Sequence, residues 1–360
     1  MSRVLNASGP VSAATRRRIE RAAAQLRYSP NGAARSLITR RTHTLGVLLP
    51  DLYGEFFSEV IRGIDQVAQR SGYHMLVSSS HSEQSAFVAA LHAMRGRVDG
   101  LIVMSPDLDQ RTLRRSLASG PPVVLLNCAA SPSGFDVIKV DNEGGAAAMT
   151  EHLLRLGHRR IAFIRGAESN VDAEERLQGF LRVMHAAGIQ RRPHWEIAGD
   201  FTECGGYRGT KTLLAERTTP TAIFAANDSM AIGALCALRD AGVDVPGDVA
   251  VAGFDDIPIA RYTSPPLTSV HVPITQLGER ATERLVSAMC GNGVAGAIET
   301  LPTTLVIRRS CGERRSARGA RTHRADNHLP GVVDVSTARK AQRNAGAAVP
   351  HASSPQEART

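Results

Sequence analysis

Paired cysteines are missing from this chain. Its five cysteines (Cys128, Cys204, Cys236, Cys290 and Cys311) stand far apart, with no CxxC among them. Neither a zinc site nor a disulfide framework is indicated. The histidines show no HExxH or comparable spacing, so no metal is expected, and His152 and His158 read as surface residues. No apolar run comes near the roughly 18 residues of a membrane span. The opening MSRVLNASGP has no signal-peptide core, and the cytoplasm is the expected compartment. The first strand-like segment runs into DLYGEFF rather than a glycine-rich G-x-G-x-x-G, and no Walker A phrase occurs. Lacking a cofactor loop and an evident nucleophile, the sequence reads as a non-enzyme that needs no cofactor.

What is present is unevenly spread. The 360 residues, 42% of them hydrophobic, suffice for about two domains with sizeable cores. The net charge of +9 belongs to the ends: residues 1–43 hold net +8 and residues 312–360 net +5, whereas 44–311 hold net −4. An acidic body with a basic N-terminal module suits nucleic-acid contact at one end.

Within the small module, 1–27, Ser12 is placed to cap a helix reaching about residue 28, with Ile19, Ala22, Ala23 and Leu26 on one face. Arg16, Arg17 and Arg18 fall in its first turns, where they oppose the helix dipole but suit phosphate contact. Segment 28–43 opens YSPNGAARSLITRR. Ser29-Pro30-Asn31 is a helix-entry signal, and Gly32 leaves the run to Leu37 a marginal helix. A marginal basic helix between a small module and a large one suits a segment that orders on a partner; an ordinary interdomain linker is the plainer alternative.

From residue 44 the pattern is regular. Strands at 45–49, 73–78, 100–104, 122–127 and 137–140 alternate with helices at 56–70, 82–94, 110–118 and one capped by Asn142. A second set follows, with strands at 161–165, 195–198, 222–225 and 249–252 and helices at 173–187, 204–216 and 229–241. This rhythm predicts an α/β fold of two doubly wound, parallel-sheet lobes with a cleft between them. A helix at 274–289 and a strand at 301–307 complete the core, 44–311. Beyond it, the basic tail 312–360 lacks periodicity and is expected to be disordered.

In open α/β sheets ligands sit beyond the carboxyl ends of the strands. Those ends hold Pro50-Asp51, Ser78 to Ser80, Ser105, Asn127, Asp141, Gly166, Asp200-Phe201, Asn227-Asp228 and Asp255-Asp256. Carboxylates and amides bind paired hydroxyls and an aromatic covers an apolar face, so the set suits a small polyol or sugar. Plainer readings stand beside this one. Asp228 and Asp255 are placed to cap the helices after them, Phe57 suits the core as well as a lid, and Arg176 has Glu174 and Glu175 nearby for a surface salt bridge.

The segment SRVLN…GPVSAATRRRIERAAAQLRYSPN, the hinge-like YSPNGAARSLITRR and the later phrases NVDAEERLQGF, GDF, AANDSMAIG and AGFDD occur in the order and spacing of one family. The chain resembles the lactose-repressor/galactose-repressor family of bacterial transcription regulators over nearly all of residues 2–310. The resemblance implies a core of periplasmic-binding-protein type, in which 274–289 and 301–307 cross back between the lobes. It also implies an all-α helix-turn-helix and a hinge helix ahead of the core. DNA contacts then fall on Ser2, Arg3, Asn6, Arg16, Tyr28, Asn31, Arg35, Ser36 and Leu37, with Leu37 wedged into the minor groove of operator DNA. Family members begin with about twenty further residues, including a recognition-helix phrase like T-V-S-R-V-L-N. Met1 stands where that phrase has valine, so the helix-turn-helix is expected to lack its first part, through a GTG codon read as a start or through truncation.

The same resemblance gives roles in the cleft. Arg176 clamps effector hydroxyls or carboxylates with its planar fork, Asn170 and Asp172 line the pocket, Phe201 stacks, Asn227 and Asp255 bind hydroxyls, and Phe56 and Phe57 close over from the facing lobe. The expected protein is a homodimeric, sugar-responsive regulator, a repressor of carbohydrate-use genes, with double-stranded operator DNA as partner and no membrane association. A chain that binds a sugar without DNA is the alternative, and the missing first part of the DNA reader is what favours it. A glycosidase would need two carboxylates at a defined separation, which nothing in the sequence fixes.

Overall fold

The computed structural model describes residues 4, 10–26, 41–128, 134–292 and 296–312. The expected DNA contacts at Ser2, Arg3, Asn6, Tyr28, Asn31, Arg35, Ser36 and Leu37 lie outside these residues, as does the tail beyond 312. Near the N-terminus, helix α1 (Ala13–Gln25) starts at Ser12, whose side chain accepts from the Thr15 amide at 3.3 Å. Arg16, the remaining expected DNA contact, lies half-buried in its first turn. Of the predicted apolar face Ala23 is buried, but Leu26 stands 74% exposed just past the helix end.

The first lobe is a six-stranded parallel sheet. Its strands are β1 (Thr44–Leu49), β2 (His74–Ser79), β3 (Gly100–Met104), β4 (Val123–Leu126), β5 (Asp136–Val140) and β11 (Ile298–Leu301), in the order β11-β5-β4-β3-β1-β2. Helices α2 (Glu55–Arg70), α3 (Gln84–Met94) and α4 (Gln110–Leu117) connect the first four strands. β3 and β4, and β1 from Leu45 on, are apolar runs buried along their length, as expected of parallel strands covered on both faces.

The second lobe repeats the plan. It holds β6 (Ile161–Ile164), β7 (Glu196–Ile197), β8 (Ala222–Ala225), β9 (Ala250–Asp255), β10 (Thr268–His271) and β12 (Thr304–Val306), in the order β12-β10-β9-β8-β6-β7. Its helices are α5 (Asn142–Arg155), α6 (Val171–Ala186), α7 (Glu203–Leu214) and α8 (Asp228–Asp240). The chain passes between lobes three times: after β5, between β10 and helix α9 (Ile274–Met289), and between β11 and β12. Helix α9 packs on α2 in the first lobe, and β11 pairs in parallel with β5.

Several expectations are corrected. The strand predicted at 301–307 is two strands in different sheets, and β12 runs antiparallel to β10. Pro302 lies between the two, and without an amide N–H it cannot extend a ladder. β10, between two proline-containing loops, was not predicted. Trp195 belongs to a 3-10 turn, Pro193–Trp195, rather than to a strand. Asn142 is not a cap: Asp141 accepts from the Gly144 amide at 2.9 Å and Asn142 begins the helix, buried. His152 and His158 are buried rather than on the surface. His152 Nε2 lies 3.2 Å from Cys311 Sγ, and His158 Nδ1 lies 3.2 Å from Thr221 Oγ1.

Glycines set how closely the helices approach. A methyl group on Gly63 of α2 would strike the Thr275 carbonyl oxygen of α9, and one on Gly278 of α9 would strike the Val60 carbonyl of α2. The two backbones therefore meet with no side chain between them at this crossing.

Candidate functional site

The eight residues assigned to the cleft, drawn from both lobes, line one cavity of about 120 Å³. Phe56 and Phe57 open α2 on the first lobe, their rings edge-to-face at 5.4 Å. Both are half-buried, so each packs on the core and faces the cavity. Asn170, Asp172 and Arg176 come from the start of α6, Phe201 from the turn before α7, Asn227 from the cap of α8 and Asp255 from the end of β9.

Arg176 organises the second-lobe side. It is 3% exposed. Its Nε donates to Asn142 Oδ1 at 2.9 Å, its Nη1 to the Ala226 carbonyl at 2.6 Å, and its Nη2 lies 3.1 Å from Asp255 Oδ1. The guanidinium also sits 3.9 Å over the Phe254 ring. The surface salt bridge considered for it is not formed: its carboxylate partner is Asp255, not Glu174 or Glu175. The Asp255 contact is an ion pair, and apart from it the buried Oδ1 has no hydrogen-bond partner among the described residues. Burial pushes Asp255 up to about 6, with Arg176 pulling the other way.

Asp172 is held by amides, accepting from Asn142 Nδ2 at 2.9 Å and, across the lobes, from Asn127 Nδ2 at 3.1 Å. Asn170 caps α6 through the Ala173 amide and donates across the lobes to Asp107 at 3.2 Å. Asn227 caps α8 through Met230 N and donates to the Phe201 carbonyl at 3.0 Å. The caps expected at Asp228 and Asp255 are not formed. Asp228 is fully buried and accepts from Ser269 Oγ at 2.6 Å and Ile257 N at 2.9 Å, tying α8 to the end of β9. Phe201 and Asp255 have positive φ angles, 64° and 106°, a backbone cost that clusters at ligand sites.

Other strand-end residues serve as scaffolding. Asp51 accepts from Leu52 N and Tyr53 N, shaping the loop into α2. Asp200 accepts from Thr202 and Arg208, shaping the turn that presents Phe201. Missed by sequence reasoning were Tyr53, Gly54, Glu55, Met104, Pro106, Ser229 and Ile257 of the lining, and Asn142 behind Arg176 and Asp172. Ser229, two positions after Asn227 at a helix start, had the clearest signal. Glu55 accepts from Ile259 N at 2.8 Å across the lobes, a contact no local pattern encodes.

Burial lifts Asp172 from the ordinary 3.8 to about 7, opposed by Arg176 and Asn142 and reinforced by Glu175 and Asp255. An acid raised in the fold holds a proton that the unfolded chain releases. Its stabilising contribution is complete below 3.8 and is lost as pH rises through about 7. His152, lowered from 6.5 by burial, acts oppositely below that pH, so the window to examine is 6.5 to about 8. The melting temperature is expected to fall with rising pH there, and Asp172→Asn to flatten the slope. A slope unchanged in the variant would assign the titration to another group.

Two family models match the chain. One, for a periplasmic binding protein-like domain, covers residues 150–311, and the other, for bacterial regulatory proteins of the lacI family, covers residues 1–31. The HTH-type transcriptional regulator GalS of Salmonella typhimurium is 36% identical over 318 residues, which cover 88% of this chain and 94% of that protein. The chain belongs to the LacI family. The ribose operon repressor of Haemophilus influenzae is 33% identical over 86% of this chain and 93% of its own length. Among solved structures, the lac repressor dimer bound to operator and the anti-inducer ONPF superposes with a TM-score of 0.78 at 32% identity, covering 86% of this chain and 94% of that one. As a LacI-family member the chain is an effector-responsive transcription regulator. No described helix is long and apolar enough to cross a membrane.

Proposed function

We propose that this regulator is a homodimeric, cytoplasmic repressor of carbohydrate-use genes, not an enzyme, whose interlobe cavity takes a small sugar or sugar derivative. The carrying observation is the lining itself. Carboxylate, amide and guanidinium groups converge with three phenylalanine rings from two lobes on one small cavity, the chemistry that hydroxyls and an apolar sugar face require. Asp255 Oδ1, buried with Arg176 alone beside it among the described residues, is an acceptor for an effector hydroxyl. Relatives support the reading: ribose operon repressors and GalS stand among them, and family structures include one solved with cellobiose and one with ribose. Double-stranded operator DNA is the partner of the N-terminal module and of the segment around Leu37.

The cross-lobe bonds Asn127–Asp172, Asn170–Asp107 and Glu55–Ile259 are the contacts an effector strengthens or breaks as one lobe moves on the other. Coupling of this kind is worth about 1–3 kcal/mol.

Calorimetric titration with a panel of pentoses, hexoses, disaccharides and purine bases tests the assignment. One sugar is expected to bind, and Phe201→Ala to weaken it at least about tenfold, or about 1.4 kcal/mol, without lowering the melting temperature by more than a few degrees. Phe201 suits the purpose because the bond it receives from Asn227 ends on its backbone carbonyl. Binding of a purine base and of no sugar would overturn the effector class; a sugar indifferent to Phe201→Ala would overturn the location.

A further inference from the structure

The interlobe cleft is one of several cavities among the described residues. On the outer side of the second lobe, between the C-terminal half of α6 and the 3-10 turn Pro193–Trp195, lies a cavity of about 360 Å³. That is within the roughly 300–1,000 Å³ of small-molecule sites. Its apolar wall is built by Ile161, Phe180, Met184, Ile189 and Trp195. Trp195 is 3% exposed, and its indole Nε1 is buried with no hydrogen-bond partner among the described residues, although buried indole N–H groups are nearly always bonded.

The rim is basic and unbalanced. Among the described residues, Arg159, Arg191 and Arg192 border the cavity with a single carboxylate, Glu196. Arg191 is fully engaged by Glu196 through bonds of 2.6 and 2.7 Å. Arg192 lies 4.7 Å over the Trp195 ring, and neither it nor Arg159 forms an ion pair among the described residues. An apolar wall beneath two uncompensated guanidinium groups disfavours a sugar and favours an anion with a hydrocarbon body.

We propose that this cavity is a second ligand site, for a small amphipathic monocarboxylate. The hydrocarbon body lies over Phe180, Met184 and Trp195, and the carboxylate meets Arg159 and Arg192. A carboxylate also supplies an acceptor of the kind the indole N–H lacks. The site is independent of the effector cleft, although α6 serves both: Arg176 on it reaches the cleft and Met184, two turns on, the outer cavity.

Trp195 is the chain's one tryptophan, so its fluorescence reports this cavity alone. The probe is octanoate below its micelle concentration, added to the full chain, with 1-octanol as the uncharged counterpart. A saturable change in emission is expected with octanoate. Binding should be at least about tenfold weaker for 1-octanol, and for octanoate in the Arg159→Gln/Arg192→Gln variant, a difference of about 1.4 kcal/mol. Because Arg192 perturbs the indole directly, calorimetry on the same variant provides the affinity independently. Both arginines are exposed, so the variant is expected to melt as the parent does. Absence of saturable binding, equal affinity for 1-octanol, or undiminished affinity in the double variant would each overturn the proposal.

Discussion

Replacing Arg176 with alanine is expected to destabilise the second lobe by about 3–5 kcal/mol and to abolish effector binding. Both effects follow from burial. The side chain is enclosed with Asp255, and its removal strands a carboxylate that has no other cationic partner in the ion pairs of the described residues. It also frees Asn142 Oδ1 and the Ala226 carbonyl, each a buried acceptor that would lose a short bond. Lysine is not a substitute, since one ammonium cannot reach three acceptors held in a planar fork. Asp255→Asn in the Arg176→Ala background removes the stranded charge, so it is expected to restore part of the stability but none of the binding. Chemical denaturation of the four proteins of this cycle measures the coupling. Near-parental stability of Arg176→Ala alone would show that water enters the site and that the ion pair is not enclosed as described.

Alanine at Gly63 or Gly278 is expected to destabilise the first lobe by about 3 kcal/mol or more, the upper end of overpacking costs. In helices alanine is ordinarily favoured over glycine by about 1 kcal/mol, so the expected sign is opposite to intrinsic propensity. The reason is that each added methyl meets a backbone carbonyl of the opposing helix, which cannot rotate aside as a side chain would. The double substitution should cost less than the two singles together, because separating the helices once relieves both clashes. Thermal melts of the three variants decide this; a stabilised Gly63→Ala would mean that α2 and α9 separate readily and that their contact does not hold the lobe.

Much of this architecture was legible because parallel strands covered on both faces are short apolar runs. The alternation from residue 44 therefore gave the two lobes, and reading only the strand ends gave Phe201, Asn227 and Asp255 as neighbours. Local pattern failed where one residue type serves two purposes. Asn227 and Asp228 are adjacent and both suit a cap, and only burial shows that Asn227 caps α8 while Asp228 ties β9. Asp141 and Asn142 repeat the confusion at α5. His152 and His158 looked superficial because their partners, Cys311 and Thr221, are far away in sequence. The positive φ at Asp255 and the 3.1 Å approach of Arg176 to it depend on the assembled lobe, and nothing in AGFDD announces either.

The crossing of the chain between lobes has a consequence for its synthesis. Strand β5 must wait for β11, roughly 160 residues later: the Asp136 side chain accepts from the amide of Ala297, 161 positions on, and Val137 pairs with Ile298. Helix α9, with Ile274, Leu277, Ala281 and Leu285 buried, likewise arrives only after the second lobe's β10. A chain emerging from the ribosome therefore starts its first lobe early but cannot finish it until nearly the whole core is out. In the interval the apolar faces of β3, β4 and β5 that α9 covers are open. Such exposed surface is prone to aggregation, so the nascent regulator's need for chaperone protection should be greatest between translation of β5 and of β11.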